Sequence, residues 1–308
     1  MPEEKDGVNP IDPGSCPYSI FLRIPDIGLD VRPNAEAMKL NYQEVEERIK
    51  EGYREVTSQY RRDDEVEVQT DNHRRLSLSL KQICLLFPRP IRVLDVGCGT
   101  GRYFHCLENV ESLTGIDISD EMLALAANPV RREAITVSDI RLVRGNIYLA
   151  DFQPESFDFI YSLGMFGHGC PVTVEICDKL YDWLKPGGKL FFNLVDFAGL
   201  PWWYRARRRL RKVVYPALSK RLQQMLDKRE QRSPFFGLTK RQLEKILSAT
   251  CLHEFNLTTH VCHSPLWCGR HLECLATKPA GKPAWPKTQL LSNKDTRAAT
   301  SRRQNVLT

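Results

Sequence analysis

Between residues 91 and 195, short apolar runs alternate with helical stretches, and no other feature limits the fold as strongly. The runs are 91–97 (IRVLDVG), 113–118 (LTGIDI), 140–145 (IRLVRG), 157–163 (FDFIYSL) and 189–195 (KLFFNLV). Helical patterns are expected between them at about 102–109, 119–128 and 172–184. Runs apolar on both faces suit a parallel sheet covered by helices on both sides. LKPGG at 184–188 reads as a helix stop and turn leading into the fifth strand. TKRQLEKILSAT (239–250) predicts a last helix with Thr239 as its cap. Two closing strands, 252–262 and 270–277, are joined by HSPLWCG, a link short enough for an antiparallel hairpin.

Upstream, Tyr42, Val45, Ile49, Tyr53, Val56 and Tyr60 recur at helical spacing from Asn41 to about Arg61. A second helix is predicted from Asn72 to Leu86, ahead of Pro88. Residues 1–35 are rich in Pro, Gly and Asp, and 279–308 are polar and basic; both read as disordered ends. Residues 36–278 then form one domain, with 36–88 as a helical cap. The first residues lack the basic start and apolar core of a signal peptide, and no apolar run would span a bilayer, so a cytoplasmic protein is expected. The ten cysteines are irregularly spaced and read as reduced thiols, many of them packed in the core.

The first strand runs into glycines at alternate positions, Gly97, Gly99 and Gly101. In an open α/β sheet, ligands bind beyond the carboxyl ends of the strands. Glycine lets the main chain approach a ligand closely, and a following helix would offer free N–H groups. The dinucleotide fingerprint G-x-G-x-x-G would need a third glycine at position 102, which is Arg102. Asp117 ends the next strand about 20 residues after the loop, where a carboxylate can accept ribose hydroxyls. It can also be read as a helix cap, with Ser119 and Asp120 as alternatives.

Together VLDVGCGTGR, GIDISDEML, RGN, FDFIYSLGMFGH and LKPGGKLFF resemble the class I S-adenosylmethionine-dependent methyltransferases over about residues 90–196. The resemblance implies a Rossmann-like α/β fold. Its seven-stranded, mostly parallel sheet has an antiparallel last strand, helices on both faces and an N-terminal helical cap. The implied cofactor is S-adenosylmethionine. Asp95, Gly97, Cys98, Gly99 and Gly101 would surround its methionine part, with Asp95 near the ammonium. Asp117 would hold the ribose, while Ile118 and Met122 would pack on the adenine. Asn146, with Ile147 beside it, stands where many relatives carry an acid reaching the adenine amine. Ser162 and Leu163 would line the methyl group. Met122 can equally be core, and Asn146 a turn residue.

Methyl transfer from a sulfonium is an in-line displacement, so a base is needed only for an acceptor that loses a proton. His168, just after the fourth strand, is the candidate base, against a structural role; Tyr161 and Cys170 read as packing. Phe166 and Tyr60 are candidate substrate contacts, Tyr60 also a core residue. Cys262, His263, Cys268, His271 and Cys274 follow no usual zinc spacing, so no metal is expected.

Residues 197–238 form a long insertion after the fifth strand. Over 197–241 it carries thirteen Lys/Arg against two acids, although the whole chain has a net charge of only +6. An apolar stripe at 206, 210, 213 or 214, and 217 or 218 predicts a basic helix, broken near Pro216. Four readings stand: a solvated helix packed on the core; a lid, with Trp203 and Arg207 as substrate contacts; a surface-lying membrane helix across 202–226; and nucleic-acid binding. The last is disfavoured because the aromatics sit at one end. The sequence thus points to methylation of a small, anionic or lipidic molecule. A nicotinamide-dependent oxidoreductase and a silent cofactor-binding protein are the alternatives, and the oligomeric state is left open.

Overall fold

The structure, a computed structural model, describes residues 59–167, 170–200, 202–222, 237–263 and 268–281. The predicted disordered ends lie outside these residues except for 279–281, as does most of the helix expected from Asn41 to Arg61. That helix is seen only where it runs on through 59–67 (α1), past its expected end. Thr70 caps the next helix, Asp71–Leu85 (α2), by accepting from His73 N. The buried residues of α2 are His73, Leu76, Leu80, Ile83 and Cys84, spaced at three and four.

Seven strands form one sheet: Ile91–Val96 (β1), Val110–Asp117 (β2), Asp139–Arg144 (β3), Phe157–Ser162 (β4), Leu184–Val195 (β5), Glu254–His263 (β6) and Cys268–Thr277 (β7). Their order is β3-β2-β1-β4-β5-β7-β6. β7 runs antiparallel to both neighbours, and the pairs from β3 to β5 are parallel. The predicted antiparallel last strand is therefore inserted between β5 and β6. The order reverses between β1 and β4, which opens a crevice at their carboxyl ends.

The helices Asp120–Ala126 (α3), Val174–Trp183 (α4), Trp202–Val214 (α5) and Lys240–Leu247 (α6) join α1 and α2. Two buried clusters cover the sheet. One centres on Ile160, Leu190, Phe192 and α4. The other centres on Phe159, Tyr161, Phe104 and α2. Thr239 caps α6 in a reciprocal capping box with Gln242, as its position before the helix predicts.

Two elements differ from the sequence reading. LKPGG joins β5, yet Phe157 pairs with Leu184 and Phe159 with Lys189, so 185–188 bulge from the ladder as a turn would. The helix expected at 102–109 is only a 3₁₀ turn, Phe104–Cys106. Buried residues fall at 103/104 and 106/107, a period of three that fits the tighter turn.

Candidate active site

The loop after β1 is tied down by its neighbours. The N–H groups of Gly97 and Cys98 both donate to Ile116 O at the end of β2, at 2.8 and 3.1 Å. Gly97, Gly99 and Gly101 all have positive φ, 72°, 52° and 73°. Their surroundings differ. A Cβ on Gly97 would meet the Met165 side chain at 2.6 Å, and one on Gly101 would meet the Phe104 ring at 2.7 Å. A Cβ on Gly99 would meet nothing within 4 Å. Protein neighbours account for Gly97 and Gly101, and Gly99 alone faces open space.

Asp117 closes this open side. Its Oδ2 accepts from Gly99 N at 2.8 Å and its Oδ1 from Ser119 N at 2.9 Å. Ser119 caps α3 through Met122 N, so the capping reading of Asp117 is corrected. Burial raises the Asp117 carboxyl above its ordinary range, while the N–H groups of Ser119, Gly99 and Ile118 pull the other way. Each carboxylate oxygen keeps a lone pair for further donors.

Asp95 pairs in register with Gly115 of β2 and Tyr161 of β4. It is almost fully buried, and its carboxyl is pushed up to about 8, chiefly by burial; the Tyr161 hydroxyl opposes this shift and the charge of Asp117 adds to it. The hydroxyl approaches Asp95 without an ordinary hydrogen-bond geometry. The sheet therefore brings two buried acids, Asp95 and Asp117, to one rim, close enough for one to act on the other. The donor set they lack is a cation and hydroxyls, which the ammonium and ribose of S-adenosylmethionine would provide.

The other predicted residues divide. Cys98 packs against Gly115 within the core. The Ser162 hydroxyl donates to Val96 O at 2.8 Å and binds β4 to β1. Leu163 packs on the core. Met122 is buried to 1% exposure, and Ile147 is core. Ile118 stays half-exposed. Asn146 Oδ1 accepts from Tyr148 N at 3.0 Å, the contact of a turn residue. Phe166 is enclosed edge-to-face on Phe192, a packing position rather than an open substrate contact. Tyr60 lies within electrostatic reach of Asp117 and Arg102. Trp203 is exposed on α5, where Arg207 also lies; the Arg207 side chain and all of His168 fall outside the described residues. Cys170 is buried against the Tyr148 hydroxyl at 3.1 Å.

Sequence reasoning missed the clamp on this loop. Asp64 of α1 is fully buried and accepts from the Thr100 hydroxyl and from Arg102 Nε. In the sequence Asp64 sits in RRDDE and reads as one charge in a solvated run. Thr100 and Arg102, at the non-glycine places of the loop, were the available signal. It also missed Met165, whose side chain covers Gly97, and Asn193, whose Oδ1 holds Gly164 N at 2.9 Å in the loop after β4.

Residues 93–188 match the family described as "Methyltransferase domain". A demethylmenaquinone methyltransferase of Listeria monocytogenes is 30% identical over 135 residues, covering 42% of this chain and 54% of the relative. A sterol 24-C-methyltransferase of Clavispora lusitaniae is 28% identical over 132 residues, covering 41% and 33%. The structure of magnesium protoporphyrin IX methyltransferase from Synechocystis PCC 6803 is 13% identical with a TM-score of 0.49, covering 75% of this chain and 96% of that one. The chain spans a third to about half the length of these curated relatives. The family match sets the nicotinamide reading aside. With the sheet order, the glycine loop and the acid closing β2, it makes residues 93–188 similar to the class I S-adenosylmethionine-dependent methyltransferases.

Proposed function

We propose that this protein transfers a methyl group from S-adenosylmethionine to a lipidic acceptor that it meets at an anionic membrane surface. The observation that carries the acceptor class is the exposed face of α5. Leu210 and Val213 are 64% and 77% exposed and Val214 is also exposed, on a helix of sequence WWYRARRRLRKVV led by the exposed Trp202 and Trp203. A solvated helix packed on the core would hide that stripe. Apolar and aromatic residues among arginines suit a lipid–water boundary. The curated relatives named above are themselves named for a menaquinone and a sterol.

The residues that would hold the cofactor are Asp95 at the ammonium, Asp117 at the ribose and the open main chain at Gly99. The chemistry the cofactor supplies when bound is an activated methyl electrophile. The protein then has to align and desolvate the acceptor. Ser162 and Asn193 fix the end of β4 and the loop beyond it, so the acceptor side is presented from a rigid edge. Tyr60 on α1 would close the cofactor side. His168 is proposed as the base for an acceptor that must lose a proton.

The test is incubation of the full chain with methyl-labelled S-adenosylmethionine and phosphatidylglycerol vesicles carrying a membrane lipid extract. Label in a lipid is the expected outcome. Label only in a water-soluble product would overturn the lipidic acceptor, and cofactor binding with no labelled product would favour a silent binding protein.

A further inference from the structure

We infer that His73, His105 and Cys106 form a binding site for one zinc-class divalent cation, separate from the glycine loop's ligand face. The site joins α2 to the 3₁₀ turn after the loop. His73 Nε2 and His105 Nε2 lie 3.4 Å apart. Cys106 Sγ lies 3.4 Å from His105 Nε2 and 3.9 Å from His73 Nε2. Zinc–nitrogen and zinc–sulfur bonds of about 2.0–2.3 Å at tetrahedral angles put ligand atoms about 3.3–3.6 Å apart. The three atoms therefore approximate one face of a coordination tetrahedron, with the fourth position left for water or an external ligand.

Packing alone accounts poorly for this triangle. His73 is 1% exposed and Cys106 7%, so both groups have left water. Two imidazoles that meet through Nε2 at 3.4 Å make at best one long hydrogen bond. Two ring nitrogens and a sulfur that converge on one point with so poor a hydrogen-bond set call for an explanation, and an ion at their meeting point is one. The rings are held in place: His73 stacks on Tyr103 at 4.8 Å between centroids and on His105 at 5.3 Å. Ser77 Oγ, one turn along α2, sits 3.0 Å from Cys106 Sγ and orients it.

The electrostatics admit a cation. Burial, with the charges of His105, Arg102 and Arg131, lowers His73 to about 3, so the ring is neutral and free to coordinate. Burial lowers His105 as well. Burial raises the Cys106 thiol to about 11, and a coordinated cation would displace that proton to solvent. Arg131 opposes the cation. Arg102 is neutralised by its pair with Asp64, and the thiolate formed on binding offsets one charge of the metal.

The experiment uses the full chain, reduced, stripped with a chelator and titrated first with zinc(II) and then with cobalt(II) as a coloured probe. One tightly held equivalent of zinc is expected, together with a thiolate-to-cobalt charge-transfer band. Cys106→Ser should lose the band and weaken zinc at least tenfold while still binding S-adenosylhomocysteine. Should that variant not fold, His105→Asn should weaken zinc at least tenfold while still binding S-adenosylhomocysteine. Cys251→Ser, which changes an exposed thiol, should leave metal binding intact. No retained zinc, an unchanged band in Cys106→Ser, or loss of the band in Cys251→Ser would each overturn the site.

Discussion

Asp95 carries a cost that only a ligand relieves. In an unfolded chain an aspartate titrates near ~4, whereas buried beside Asp117 this one titrates at about 8. Between those values the folded protein keeps a proton that the unfolded chain has released, so stability falls as pH rises through the window. Asp95→Asn should therefore raise the melting temperature of the ligand-free protein at pH 8. The same change should weaken S-adenosylhomocysteine. Wild-type affinity should decline roughly tenfold for each unit below pH 8, because an ammonium requires the anion, and the Asn variant should show a flat profile. Equal pH profiles in calorimetry would remove Asp95 from the ligand. A second contrast lies in the loop beside it. Gly101→Ala should cost ~1–3 kcal/mol from its positive φ and the Phe104 ring. Gly99→Ala carries the strain of its positive φ but meets no neighbour, so it should cost less stability than Gly101→Ala and lose ligand affinity as well. Denaturant melts and calorimetry on both variants separate the two effects.

At the scale of elements, α1 and the glycine loop behave as one unit. Asp64 reaches from α1 to Thr100 and Arg102. Arg131, just before β3, donates to Val68 O at 3.0 Å, and Arg61 to Asn128 O at 2.7 Å. The cap is thus fastened at three points. Removing one partner of a buried ion pair leaves the other charge uncompensated, which costs ~3–5 kcal/mol. Asp64→Ala should lower the unfolding free energy measured in urea by that amount and weaken S-adenosylhomocysteine as the loop loosens. A loss below ~1 kcal/mol would mean that the Arg102 head finds water instead.

At the scale of the molecule, α5 combines arginines with the exposed Trp202, Trp203, Leu210, Val213 and Val214. α5 follows β5 by a short turn in which Asp196 holds Ala198 N and pairs with Arg270 of β7, so the helix starts from a fixed anchor. No helix among the described residues is long and apolar enough to cross a membrane. Trp202→Ser with Leu210→Ser should reduce sedimentation with phosphatidylglycerol vesicles at least tenfold and leave S-adenosylhomocysteine affinity unchanged. Raising salt should weaken the wild type by screening its arginines. Vesicle binding indifferent to both changes would argue against a membrane role for α5.

The parallel core and the closing hairpin were legible in the chain because they rest on local patterns, whereas the place of β7 between β5 and β6 came only from the tertiary structure. Apolar runs of strand length between helical periods fix the layers, and the tip of a strand followed by glycines marks the crevice. Thr239 and Ser119 could be read as caps for the same reason, since a cap acts within one turn. What came only from the tertiary structure depends on residues distant in sequence. Met165 and Phe104 explain two of the glycines, Asp64 grips a loop 36 residues away, and His73 meets His105 across 32. The expected helix at 102–109 became a 3₁₀ turn because consecutive side chains were drawn into the core beneath α2. Local periodicity records which face of a segment is buried; it carries no record of what that face is buried against.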